Sequence, residues 1–282
     1  MQVSKTTEEL RERLQGLRRA GENIALVPTM GNLHKGHLSL VAFARDRAER
    51  VVVSIFVNPT QFEPGADFDD YPRTLATDKR WLKRARADLL FVPDVATMYP
   101  FGTDNATTVS VPVLGDEFCG TFRPGHFEGV TSVVSRLFGL VMPDVAVFGQ
   151  KDYQQQLVIR RMVEDLHWPV EIVSAPTVRE ADGLACSSRN QYLRDGERKI
   201  APKLFRVLQQ LETDLQAGER NFTELERRAM EQLSNKGFVP EYVAVRRAVD
   251  LGPPDRDTGA LVVLAAARLG KARLIDNVLV DI

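Results

Sequence analysis

This chain is poor in cysteine, in unbalanced charge and in long apolar runs, and each shortage narrows its chemistry. It has two cysteines in 282 residues, Cys119 and Cys186. Two thiols so far apart make no disulfide framework, and without a C-x-x-C pair they make no zinc knuckle. A reducing cytoplasm is the expected compartment. Lys and Arg number 37 against 38 Asp and Glu, a net charge of -1. Nothing in that balance suggests long-range attraction to nucleic acid or to an anionic membrane. No run of eighteen apolar residues occurs, so no membrane span is expected. The opening MQVSKTTEELRERL is too charged for a signal peptide. Neither the dinucleotide fingerprint G-x-G-x-x-G nor a P-loop is present, and no internal repeat stands out.

What is present is a 44% hydrophobic chain in which apolar runs alternate with amphipathic ones. Thr6 and Glu9 form a capping box, and Leu10, Leu14 and Leu17 recur at helical spacing before Gly21. Short apolar runs at 24–28, 51–58, 88–93, 107–113, 144–149 and 170–176 predict strands. Residues 38–50, 74–87, 130–141 and 153–166 predict helices between them. This rhythm predicts an α/β fold, a doubly wound, Rossmann-like parallel sheet over residues 1–176. Beyond it, two predicted helices at 195–217 and 221–236 precede strands at 241–247, 260–269 and 272–280. That order predicts a second, smaller α+β domain at 177–282.

Four stretches could carry chemistry. PTMGNLHKGH (28–37) lies between a strand and a helix, where ligands of open α/β sheets bind. A helix N-terminus there would offer N–H groups to phosphate. Gly31 and Gly36 allow close approach, and His34 and His37 add donors for charge on a phosphoryl group. The competing readings are a polar turn with two exposed histidines, or a zinc site. The only other histidines are His126 and His167, and no carboxylate sits at a recognisable ligand spacing. SIFVNPTQF (54–62) places neutral amides, Asn58 and Gln61, after a buried strand; the plainer reading is an Asn-Pro turn. FGQKDYQQQ (148–156) places Gly149, Lys151 and Asp152 in the same position relative to another strand. Of Gln154, Gln155 and Gln156, one or two must face the crevice. CSSRNQYL (186–193) offers two hydroxyls and an arginine, a compact anion site.

Taken together with YPRT and RPGHFEGV, these stretches resemble, in order, the blocks of the pantoate–β-alanine ligase (pantothenate synthetase) family. The H-x-G-H element alone is shared more widely, by nucleotidyltransferases and class I aminoacyl-tRNA synthetases. The resemblance implies condensation of (R)-pantoate with β-alanine, using ATP, through a pantoyl adenylate, toward coenzyme A. It implies that Met30, Gly31, Asn32, Leu33, His34, Lys35, Gly36 and His37 cradle ATP, with His37 as acid. It implies ATP contacts at Gly149, Gln150, Lys151 and Asp152, at Val178, and at Cys186, Ser187, Ser188 and Arg189 from the second domain. His37, His34, Lys151 and Arg189 would be the catalytic groups. Gln61 and Gln155 would hold pantoate, with Asn58, His126 and Arg123 lining its pocket. Mg²⁺ would bridge phosphates, with Asp78 as its acidic neighbour, and a homodimer is implied. Gln150 stands where the family pattern has glutamate, and Cys186 where it has methionine. Two rival readings are a nucleotidyltransferase for a phosphorylated acceptor and a non-catalytic nucleotide-binding module. Asn58, Gln61 and Gln155 suit an unphosphorylated acceptor, and the histidines with Ser-Ser-Arg suit catalysis.

Overall fold

The computed structural model describes residues 1–62, 68 and 71–282. They gather into two compact units, Met1–Gly149 with Val158–Ala175, and Gln150–Leu157 with Pro176–Ile282.

The first unit runs β1 (Gln2–Ser4), α1 (Thr7–Arg19), β2 (Ile24–Thr29), α2 (Lys35–Arg45), β3 (Arg50–Ile55), α3 (Leu75–Arg84) and β4 (Leu89–Phe91). It continues with the short helices α4 (Val95–Met98) and α5 (Cys119–Phe122), then α6 (His126–Val141) and β5 (Val145–Gly149). Helix α7 (Tyr153–Asp165) starts among second-unit residues and leads into β6 (Glu171–Ala175). The six strands form one parallel sheet in the order β1-β4-β3-β2-β5-β6. The near-continuous Val and Ile of β2 and β3 follow from burial on both faces. Val27, Val53 and Val147 pack with Leu40, Val41 and Ala44 of α2 on one side. Thr6 caps α1, its hydroxyl accepting from Glu9 N–H at 3.2 Å, a contact worth about 1 kcal/mol. Gly21 follows at φ +74° with its N–H on Arg18 O, closing the helix in a left-handed turn.

Two local expectations differ from the structure. Residues 107–113 form no strand. The Val109 N–H donates to Ser132 Oγ at 2.9 Å, and Thr131 Oγ1 donates to Val109 O. The α6 side chains thus take the place of a ladder partner, and Pro112 brings no donor. Conversely β1, too short to show a period, pairs with β4 from Gln2↔Leu89 to Ser4↔Phe91.

The second unit runs α8 (Asp195–Ile200), α9 (Lys203–Gln216), α10 (Phe222–Asn235), β7 (Val239–Arg247), β8 (Ala260–Leu269) and β9 (Ala272–Asp281). The single helix predicted for 195–217 is broken at Pro202, which cannot continue a helix without losing a hydrogen bond. The three strands form an antiparallel sheet, β7-β8-β9. Leu208 and Leu211 of α9 and Leu225 and Leu233 of α10 pack against Val263 and Val278. Among the described residues, no helix is long and apolar enough to cross a membrane.

Candidate active site

The sheet opens at one place. Strands β2 and β3 stay paired to Thr29↔Ile55, and β5 and β6 to Gly149↔Ala175. Between β2 and β5 the register covers only Ala25↔Val145 and Leu26↔Ala146. The strand order reverses direction here, so β2 and β5 part at the switch point where doubly wound sheets bind ligands.

The chain leaving β2 makes a tight turn through Gly31 (φ +81°) and Asn32 (φ +48°). A Cβ on Gly31 would stand 3.0 Å from Ile55 Cγ2 and 3.3 Å from Asp78 Oδ2, so only glycine fits. Several backbone N–H groups of this helix end are engaged within the turn. Gly31 N–H donates to Thr29 Oγ1. Asn32 and Leu33 donate to the Asp78 carboxylate at 3.1 and 2.9 Å. His34 N–H donates to His37 Nδ1, and Gly36 N–H to His34 Nδ1. Each imidazole accepts a backbone N–H at Nδ1 within the turn. The two rings lie side by side, centroids 4.0 Å apart. Lys35 is exposed beside them.

Asp78 does not fit the metal role expected of it. It is 1% exposed. Both oxygens are used, by Asn32 and Leu33 N–H and by the Thr74 hydroxyl at 3.1 Å from each. Its work is to hold the turn. Among the described residues, no three His, Cys, Asp or Glu gather as a metal cluster.

Asn58 also differs from expectation. It is 1% exposed and spent on its own turn. Its Nδ2 donates to Gly129 O at 3.0 Å and Gln61 Oε1 at 3.3 Å. Its Oδ1 accepts from Tyr99 Oη at 2.7 Å and from Thr60. It thus holds the 58–61 turn against α6. Tyr99 is pushed above the usual phenol range by burial, which keeps it the donor in this contact. Gly129 lets α6 approach, since a Cβ there would lie 2.4 Å from Thr60 O. Neither residue was identified from the sequence. The glycine inside an apolar helical run was the available signal for Gly129, and Tyr99 had none.

Gln61 ends the 3-10 turn Pro59–Gln61, half-buried, its Nε2 on Met30 Sδ at 2.8 Å. His126 Nδ1 and Arg123 Nη2 both reach its backbone oxygen, at 2.9 and 3.4 Å. Arg123 Nη1 meets His126 Nε2 at 2.8 Å. Arg donates only, so Nε2 accepts and Nδ1 carries the proton to Gln61 O. These two residues grip Gln61 from behind.

In the second unit, a 3-10 turn Gln150–Asp152 leads into α7. Asn277 Nδ2 donates to the carbonyls of Gln150 and Lys151 at 2.9 and 3.0 Å. The turn is held through its backbone carbonyls. Gln155 is half-buried, while Gln154 and Gln156 on either side are buried. A hairpin places Val178 O opposite Cys186 N–H at 2.9 Å. Cys186 is buried with its thiol toward Glu180. Ser187 Oγ caps the next turn through Arg189 N–H at 3.2 Å, and Ser188 and Arg189 are half-buried. Lys151 and Ser187 line one small cavity, with Asn190 and Asp276. Gly149 and Asp152 flank Lys151, both half-buried.

A family model described as pantoate-beta-alanine ligase matches residues 2–279. The chain belongs to this family. The pantoate–β-alanine ligase assignment carries the whole length, because the relatives match end to end. A pantothenate synthetase of Azotobacter vinelandii is 54% identical over 278 residues, covering 99% of this chain and 98% of that one. The crystal structure of pantothenate synthetase from Thermus thermophilus superposes with TM-score 0.92 at 47% identity, covering 99% of both chains. A pantoate–β-alanine ligase from Francisella tularensis, solved with beta-gamma ATP and β-alanine, matches with TM-score 0.82 at 32% identity, covering 99% of this chain and 97% of that one. The chain is thus a carbon–nitrogen ligase of the pantothenate-forming class.

Proposed function

We propose that the chain joins (R)-pantoate to β-alanine in two steps. A pantoate carboxylate oxygen attacks the α-phosphorus of ATP, and the bond to pyrophosphate breaks with its electron pair on the leaving group. The β-alanine amine then attacks the acyl carbon of the adenylate. The C–N bond forms, the C–O bond to AMP breaks, and the amine gives up a proton. Neither step needs a protein nucleophile; both need alignment and charge stabilisation.

His34 and His37 donate Nε2–H to phosphate oxygens and Lys151 and Arg189 supply positive charge. In this reading His37 acts as a neutral hydrogen-bond donor, because protonation at Nδ1 would break the contact with His34 N–H. Gln61 and Gln155 hold pantoate, and Ser187, Ser188 and the backbone at Val178 complete the nucleotide contacts. Mg²⁺ enters with ATP as part of the substrate, since Asp78 is fully engaged and the described residues build no cage. A homodimer in the cytoplasm completes the reading. The observation that carries it is a family match from 2 to 279 in a chain whose H-x-G-H turn engages both imidazoles at Nδ1.

The test is pyrophosphate release from ATP, Mg²⁺ and (R)-pantoate, with and without β-alanine. A single turnover that becomes sustained on adding β-alanine, with AMP and pantothenate formed, is expected. ATP binding without release would overturn catalysis. Release dependent on a phosphorylated acceptor would overturn the acceptor assignment.

A further inference from the structure

Strand β9 alternates buried with less buried positions, and Asn277 alone breaks the alternation; it and its neighbour Asp276, which lies in the buried phase, are 2% and 4% exposed. Polar groups so deep are costly unless paired. Asn277 spends its amide N–H groups on the two carbonyls of Gln150 and Lys151. Two carbonyl partners settle the amide orientation, since its oxygen could not face them. The cost is visible on the other side, where Asn277 Oδ1 is buried with no partner. A side chain that only filled space here would be apolar.

Asp276 completes a chain of contacts. It accepts from Asn277 N–H at 2.8 Å and binds the Arg179 fork at 2.6 and 2.9 Å. Arg179 stacks on Phe205, its guanidinium carbon 3.4 Å from the ring centre, and donates to Gly183 O at 3.2 Å. Its backbone bridges to Ala185, immediately before residues 186–189. One polar pair on β9 therefore holds both the Lys151 turn and the hairpin leading to Ser187 and Arg189.

We propose that Asn277 is a positioning residue for Lys151, and that Asp276 ties it, through Arg179, to the Ser187–Arg189 stretch. This rests on the reading that Lys151 serves the phosphates of ATP. A lysine is a point charge on a four-carbon stem, so its backbone decides what the ammonium can reach. A shift of about 1 Å in a reacting group can lower a rate by about 10²-fold.

The test is a double-mutant cycle of Asn277→Ala with Lys151→Ala, read as pyrophosphate release against ATP and against pantoate. Asn277→Ala alone is expected to lower kcat/KM for ATP by about 10- to 100-fold. The pantoate KM and the thermal midpoint of the loaded enzyme should move far less. In the Lys151→Ala background the same change should cost no more than about twofold, because its effect runs through Lys151. An equal loss in both backgrounds, or equal shifts in both substrates, would mean a structural role and overturn the inference. If Asn277→Ala does not fold, Asn277→Ser keeps one donor and carries the same cycle. If Lys151→Ala lowers ATP use and neither Asn277 variant does, this inference alone fails. If Lys151→Ala leaves ATP use intact, the phosphate reading fails and takes the inference with it.

Discussion

The turns that follow β2 and β5 leave neighbouring strands of one sheet, but they are held by opposite chemistry. After β2 a buried acceptor, the Asp78 carboxylate, takes the N–H groups of Asn32 and Leu33. After β5 a buried donor, the Asn277 amide, takes the oxygens of Gln150 and Lys151. The first arrangement engages backbone donors of the turn with a carboxylate. The second engages backbone acceptors of the turn that carries Lys151. Both cases put a long-range side chain, from α3 or β9, in charge of a local turn.

The sharpest way to break this contrast is at His37. His37→Ala should lower adenylation by about 10²–10⁴-fold, measured as pyrophosphate release, since it removes a transition-state donor where backbone N–H groups are committed. A near-normal rate would mean that the helix end still meets the phosphate.

Asp78→Asn tests the pin itself. The amide offers one acceptor where two N–H groups and a hydroxyl now bind. A loss of about 2–4 kcal/mol in denaturant unfolding is expected, at roughly 1–3 kcal/mol for each unsatisfied group. Activity should not recover as Mg²⁺ is raised; recovery would restore a metal role for Asp78.

The Gln61 cluster separates contact from support. Gln61→Ala should raise the KM for pantoate well beyond that for ATP, and equal effects would count against its placement. His126→Ala should do the same more weakly, about tenfold, as expected for one lost hydrogen bond to the Gln61 backbone.

The smallest effect lies at the hairpin of the second unit. The Arg198 hydrogen bond holds the Asp182 carboxyl below its ordinary range. A folded value under the unfolded one stabilises at neutral pH, and that contribution is lost as pH falls below about 4. The pair is partly exposed, so Arg198→Ala should remove no more than about 1 kcal/mol of it, read as a shallower acid unfolding curve.

Much of this was legible along the chain. The hydrophobic rhythm determined the parallel sheet, because burial on two faces demands continuous apolar strands, but not that residues 150–157 group with the second unit. The H-x-G-H, N-P-T-Q and Q-K-D stretches were legible as strand ends, because glycine, proline and charge cannot continue a buried strand. What those side chains touch was not legible. Asn58 and Asp78 look like ligands in a motif, and folding turns them into buried supports. Asn277 lies 126 residues from Lys151 and carries no motif of its own. Local pattern reports a residue's own preferences, whereas a buried polar group must find its partner wherever the fold brings one. Only the tertiary structure decided which polar groups are left to meet a substrate.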